Sequence, residues 1–167
     1  MPLFISQKAQ LYIYDYPYAE KINPILHRII LQTASIRDKG ALMTEWDCIN
    51  IKEFKLISDY VLNLQTNFAL PSHHLKLMDI WGQVYNIGDY QISHHHIPSH
   101  WSFVYYVNTP RRSSPIVFDE SRKRIRLKAG QVIIFPSWLL HHVPPNKCEG
   151  RVVIGGNLSY TTHQGIK

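Results

Sequence analysis

Two hydrophobic rhythms share this chain, and they change over near residue 78. In INPILHRIILQTA, Ile22, Ile25, Leu26, Ile29 and Ile30 recur at helical spacing, and Asn23-Pro24 is a plausible start. A second helix is expected from Asn50, where Asn50 and Glu53 have the spacing of a capping box. Phe54, Ile57, Val61 and Leu64 then form one apolar stripe. Both stripes read as core-facing. A short strand-like segment, LYIYDY, precedes them.

From Met78 onward the apolar runs shorten and become β-rich: MDIWGQVYNI, HWSFVYYV, SPIVF, RIRL, QVIIFP and RVVIGGNL. Turn residues punctuate them at Ile87-Gly88-Asp89, Asn108-Thr109-Pro110, Ala129-Gly130 and Pro144-Pro145-Asn146. The connections are too short for crossover helices, so a sandwich or barrel is expected. With no internal repeat or linker, the reading is one domain over 1–167. Residues 1–77 would form a mostly helical layer, packed on a β core spanning 78–160.

Length and composition agree. A chain of 167 residues with 45% hydrophobic content is enough for one packed core. The opening MPLFISQKAQ lacks the layout of a secretory leader. No apolar run approaches the ~18 residues of a membrane span. A cytoplasmic protein is expected. Cys48 and Cys148 lack metal-site spacing and read as ordinary reduced thiols. The net charge of +6 draws on RKRIRLK, where Arg122, Arg124, Arg126 and Lys128 alternate. One strand face carrying them could meet nucleic acid, or it could be the solvated face of an edge strand.

The chemistry-bearing segment is HHHIPSHW. On a strand, His94 and His96 point the same way and His95 points oppositely. Two imidazoles on one face can share a metal ion, with a third ligand from elsewhere. His141 and His142, in FPSWLLHHV, stand at the end of an apolar strand and are the candidates. Farther on, Arg151, Val153, Gly155 and Asn157 share a strand face. If Val153 faces the core, so does Arg151, and a buried arginine requires an anion. Neighbouring runs offer no obvious carboxylate, so a bound dicarboxylate held bidentately would serve. His73 and His74 default to the surface. Trp81, Trp101, Tyr105, Tyr106 and Trp138 read first as packing, with Tyr106 and Trp138 as candidate pocket walls and His100 as a candidate at the entrance.

In order, WGQVYNIGDYQISHHH, SFVYYV, FPSWLLHHV and RVVIGGN resemble the Fe(II)/2-oxoglutarate-dependent oxygenases. Within them they are most similar to a small group with an H-x-H, an SGVYYV-like strand, FPSWL-x-H and an R-x5-N strand. The resemblance spans about residues 78–159; MTEW, 43–46, is also similar. The wider superfamily, including the alkylated-base demethylases, is similar in spacing. It places an amide, a tyrosine and a glycine before the first metal histidine, where this chain has Gln83, Tyr85 and Gly88.

The resemblance implies a double-stranded β-helix, the cupin-like jelly roll. It implies Fe(II) on His94 and His141, and Arg151 on the distal carboxylate of 2-oxoglutarate. Gln83, Tyr85 and Asn157 would help to hold that cosubstrate. Two departures stand out. His96 occupies the place where the superfamily usually has Asp or Glu, so three neutral imidazoles would leave the metal at +2, a charge that a dianionic cosubstrate would offset. Asp89 or Asp119 is the alternative source of a carboxylate. Phe103 stands where the group has glycine, and its ring is expected to narrow the pocket.

Three functions follow. The first is an oxygenase using Fe(II), 2-oxoglutarate and O2 to hydroxylate an unknown substrate, with His94, His96 and His141 on the metal. The second is a three-histidine cupin-type dioxygenase that needs no 2-oxoglutarate. The third is a non-catalytic jelly-roll binding protein.

Overall fold

The structure, a computed structural model, describes residues 9–38, 40–71 and 73–161. The stretch 1–8, read above for a leader, lies outside them. Strand β1 (Tyr12–Asp15) precedes helix α1 (Ala19–Thr33). A hairpin of β2 (Ile36–Asp38) and β3 (Ala41–Met43) follows, then helix α2 (Lys52–Asn63). Eight strands complete the chain: β4 (Leu75–Tyr85), β5 (Gln91–His94), β6 (Trp101–Asn108), β7 (Ile116–Phe118), β8 (Lys123–Ile125), β9 (Gln131–Pro136), β10 (His141–Val143) and β11 (Arg151–Tyr160).

They form two antiparallel sheets. The larger runs β1-β9-β6-β11-β4-β3-β2 and the smaller β5-β10-β7-β8. This is a jelly roll with helices on the outer face of the larger sheet. That sheet separates two cores, and strand alternation assigns each side chain to one of them. On the helix side, Leu26 and Ile30 of α1 and Phe54, Ile57 and Val61 of α2 pack on Ile80, Phe103, Tyr105 and Ile154. Between the sheets lie Tyr85, Tyr106, Phe118, Ile133, Phe135 and Val153. Each large aliphatic side chain so buried contributes about 1.5–3 kcal/mol of transfer free energy.

Helix α1 begins at Ala19, four residues before the expected Asn23. Pro24 therefore sits inside the helix and forfeits a backbone bond on an exposed face. Asn23 instead accepts a hydrogen bond from Tyr105 (2.6 Å), tying α1 to β6. The Asn50/Glu53 capping box does not form: Cys48–Asn50 is a 3-10 turn and Ile51 is the N-cap, without a side-chain cap bond. The first third is also less helical than its stripes suggest. The β2–β3 hairpin is too short to show a pattern in the sequence, and it joins the larger sheet through the pairing of β3 with β4.

The ring of Phe103 points to the helix side and covers Gly156, where an added Cβ would lie 2.4 Å from it. The residue still borders the inter-sheet cavity, although its ring packs on the face opposite Val104 and Tyr106. The basic stripe is shorter than expected. Strand β8 covers only Lys123–Ile125, and Arg122 sits in a turn at φ 53°. Arg126 donates to the Ser113 carbonyl. Since β8 is the outer strand of its sheet, exposed cations here are what an unpaired edge calls for. Both cysteines are free thiols. No helix among the described residues is long and apolar enough to cross a membrane.

Candidate metal centre and anion pocket

His94 and His141 face each other across the β5–β10 pair. His96, just past the end of β5, joins them because its backbone N–H donates to the Ser137 carbonyl (2.8 Å). Ring centroids lie 4.4 Å (His94–His141), 4.9 Å (His94–His96) and 5.2 Å (His96–His141) apart. One donor nitrogen from each lies within 4.8 Å of the others. Nitrogens sharing one ion at about 2.1 Å stand about 3 Å apart, so small side-chain rotations close the set.

The backbone prepares two of these rings for a metal. Nδ1–H of His94 donates to the Ile92 carbonyl (2.8 Å), and Nδ1–H of His141 to the Leu139 carbonyl (2.9 Å). A carbonyl only accepts, so each proton is fixed on Nδ1 and each Nε2 keeps its lone pair. His141 is buried, and that burial, followed by the neighbouring His94, lowers its pKa to about 4. It is therefore neutral, as a ligand must be.

Among the described residues, no carboxylate completes a ligand group with these three histidines. Asp89 accepts from Arg37 (2.8 Å) and from the Asn86 backbone (2.8 Å). Asp119 accepts from Ser93 and from Nδ1 of His142, which alternation turns away from His141. Burial pushes the Asp119 carboxyl up, but those two hydrogen bonds outweigh it and hold it below its ordinary value. His95 is exposed. His73 and His74 are exposed as well.

Below the histidines lies a cavity of about 280 Å³, floored by β4, β6 and β11. Its closed end is Arg151, 1% exposed, opposite Tyr85 in register. The guanidinium carbon stands 4.5 Å from the Tyr85 ring centre and 5.4 Å from that of Tyr106. Among the described residues, no acidic side chain forms an ion pair with Arg151. Its Nε and Nη1 atoms are buried without a hydrogen-bond partner, as is the Tyr106 hydroxyl. Buried donors of this kind are costly unless something accepts from them. Tyr85 donates to Gln83 (3.1 Å), and Gln83 donates to Gln91 (3.5 Å). Burial raises the Tyr85 phenol to about 12, against the opposing pull of Arg151, so it is a donor at neutral pH.

Asn157 lies on the same strand face as Arg151 but six residues away, roughly 20 Å along the strand. Its amide is engaged by Ser102 (2.7 Å) and Asp79 (2.7 Å). Tyr106 lines the cavity as expected, whereas Trp138 lies outside it and is 40% exposed. His100 is not part of the cavity wall and packs beside Tyr160 at 4.8 Å. Sequence reasoning gave no role to Asp79, Trp46 or Gln91, all of which line the cavity. For Asp79 the signal was present: it alternates in phase with Trp81, Gln83 and Tyr85.

No family model and no curated protein matches the sequence. Solved structures do match. A viral collagen prolyl hydroxylase from Paramecium bursaria Chlorella virus-1, in complex with 2-oxoglutarate, superposes with a TM-score of 0.75 at 12% identity, over 91% of this chain and 96% of that one. A Pseudomonas putida prolyl-4-hydroxylase gives 0.66 at 14%, over 89% and 92%. HygX from Streptomyces hygroscopicus, with nickel, 2-oxoglutarate and hygromycin B bound, gives 0.69 at 10%, over 92% and 84%. The chain thus has the jelly-roll fold of these oxygenases.

Proposed function

We propose that this protein is an Fe(II)- and 2-oxoglutarate-dependent oxygenase that hydroxylates its substrate. The observation carrying this reading is the anion pocket. A buried arginine, with unpartnered Nε and Nη1 and an unpartnered tyrosine hydroxyl beside it, shares one cavity with three clustered imidazoles. The donor set suits the group: His94, His96 and His141 would hold Fe(II), and Arg151 with Tyr106 would bind the distal carboxylate of 2-oxoglutarate. Gln83 and Tyr85 would flank the cosubstrate. Asn157, toward the other end of the cavity, would instead hold Asp79 in place.

When bound, iron and 2-oxoglutarate supply the oxidation: O2, 2-oxoglutarate and a substrate C–H yield succinate, CO2 and the C–OH product. The chain's own residues do the rest. Backbone carbonyls aim the two Nε2 lone pairs of His94 and His141. Arg151 fixes the cosubstrate's far end, and the Tyr85 and Tyr106 rings keep that end dry, which strengthens each charge-assisted bond. Fold alone does not dictate chemistry, so the pocket is what is tested.

The test is anaerobic titration of the Fe(II)-loaded protein with 2-oxoglutarate, following the visible charge-transfer band, with Arg151→Ala in parallel. The band should appear and weaken in the variant. Bound iron without a band, together with O2 consumption and no succinate in a separate aerobic assay, would support instead a three-histidine dioxygenase.

A further inference from the structure

The cavity is polarised along its length, and its open end carries a charge that the oxygenase reading does not use. Among the described residues lining it, Asp79 is the only carboxylate and Arg151 the only arginine or lysine. They stand well apart along one strand pair: Arg151 is opposite Tyr85 at its end, and Asp79 is opposite Asn157 farther along. The histidine cluster lies between, with His96 at 5.8 Å from the Trp81 ring. Asp79 comes two residues beyond Trp81, about 7 Å farther toward the opening.

The Asp79 carboxylate is held in place. Ser137 donates to Ser102, Ser102 to the Asn157 carbonyl oxygen, and the Asn157 amide to Oδ1 of Asp79, each link 2.7 Å. Asp79 forms no ion pair among the described residues. It is half-buried, and the loss of water raises its pKa against the pull of Asn157, a cost that a bound cation offsets. Beside it, Trp46 and Trp81 pack at 4.4 Å with a 49° tilt. Trp46 is fixed by its carbonyl, which accepts from Ile80 (3.1 Å), and is 44% exposed at the opening. A half-buried carboxylate in a cavity that Trp46 and Trp81 also line is chemistry suited to an ammonium group.

We propose that the substrate carries a cationic amine, which Asp79 binds at the cavity mouth against Trp46 and Trp81 while a carbon of the same molecule faces the histidine cluster. The inference rests on the oxygenase reading and adds its substrate class. A cavity of about 280 Å³ is at the small end of ligand sites and must also take the cosubstrate. It therefore admits a slender group: a small alkylamine or the tip of a lysine side chain.

The two sources are separated by the probes. The full-length protein is titrated, with neither iron nor 2-oxoglutarate, against N-acetyl-L-lysine methylamide, its neutral match N-acetyl-L-norleucine methylamide, and n-pentylammonium. Heat of binding and tryptophan quenching are followed. At least one cation should bind about ten- to a hundredfold more tightly than the neutral probe. Tighter binding of the lysine derivative assigns the source to a peptide, and tighter binding of pentylammonium to a free amine. Asp79→Asn, checked for an unchanged melting profile, should remove the preference, and Asp79→Glu should restore part of it. Equal binding of cationic and neutral probes, binding of no probe, or an undiminished preference in Asp79→Asn would each overturn the inference. Because this titration omits iron and cosubstrate, its failure with the charge-transfer band intact rejects the amine alone. The converse result rejects the oxygenase reading alone.

Discussion

Arg151→Met gives the sharpest test of the pocket, because stability and binding should move in opposite directions. Arg151 is 1% exposed and has no acidic partner among the described residues. The protein offsets its burial with two ring faces, at 4.5 and 5.4 Å. Such contacts return about 0.5–2 kcal/mol each, against a desolvation cost of several kcal/mol for an effectively unpaired ion. Methionine fills similar space between Tyr85 and Tyr106 without charge. Replacing buried ionic groups by packed apolar ones stabilises proteins by about 1–4 kcal/mol. At roughly 2–4 °C per kcal/mol for a chain of this size, the ligand-free variant should melt about 2–15 °C higher. The same substitution removes two charge-assisted hydrogen bonds to a carboxylate, worth about 1.5–3 kcal/mol each, so 2-oxoglutarate should bind about a hundred- to ten-thousandfold more weakly. Thermal melts and calorimetric titration read the two effects in one preparation. A variant that melts lower and still binds 2-oxoglutarate normally would refute the argument, because Arg151 would then be a structural cation.

Three further outcomes are expected. His141→Ala should abolish 2-oxoglutarate turnover and reduce iron retention; turnover near the wild-type rate would remove His141 from the ligand set. The metal-free protein should lose stability as pH falls from 6.5 toward 4. The unfolded histidine takes up a proton near 6.5 while buried His141 resists until about 4, so the unfolded state binds more protons and stability rises with pH. The full effect is about 3 kcal/mol, and denaturant melts of His141→Gln across this window should show a shallower slope. Gly156→Ala places a Cβ 2.4 Å from the Phe103 ring and should cost about 1–3 kcal/mol by overpacking. Phe103→Leu in the same chain should recover part of that in a thermal melt, and no recovery would show that the strain lies elsewhere.

The sequence alone determined the faces. Period-two alternation put Arg151, Val153, Gly155 and Asn157 on one side of β11, and Gln83 with Tyr85 on one side of β4, because a pleated strand leaves a side chain no other choice. The 3.6-residue stripes of α1 and α2 likewise fixed which side of each helix is buried. What alternation cannot give is partnership between distant strands. Only the sandwich closure set His141 opposite His94 and turned His142 toward Asp119. It also engaged Asp89 and Asp119 elsewhere, so that neither completes the histidine cluster. Phe103 shows the same division. Its position beside an SGVYYV-like strand was legible, but the Gly156 opposite it, which receives the ring on the helix side, lies more than fifty residues away in sequence. The segments of a jelly roll each look ordinary because its site is assembled across two sheets. Tertiary packing therefore decided the charge layout of the cavity, Arg151 at the closed end and Asp79 at the mouth, since it depends on which ends of the strands the connecting loops leave open.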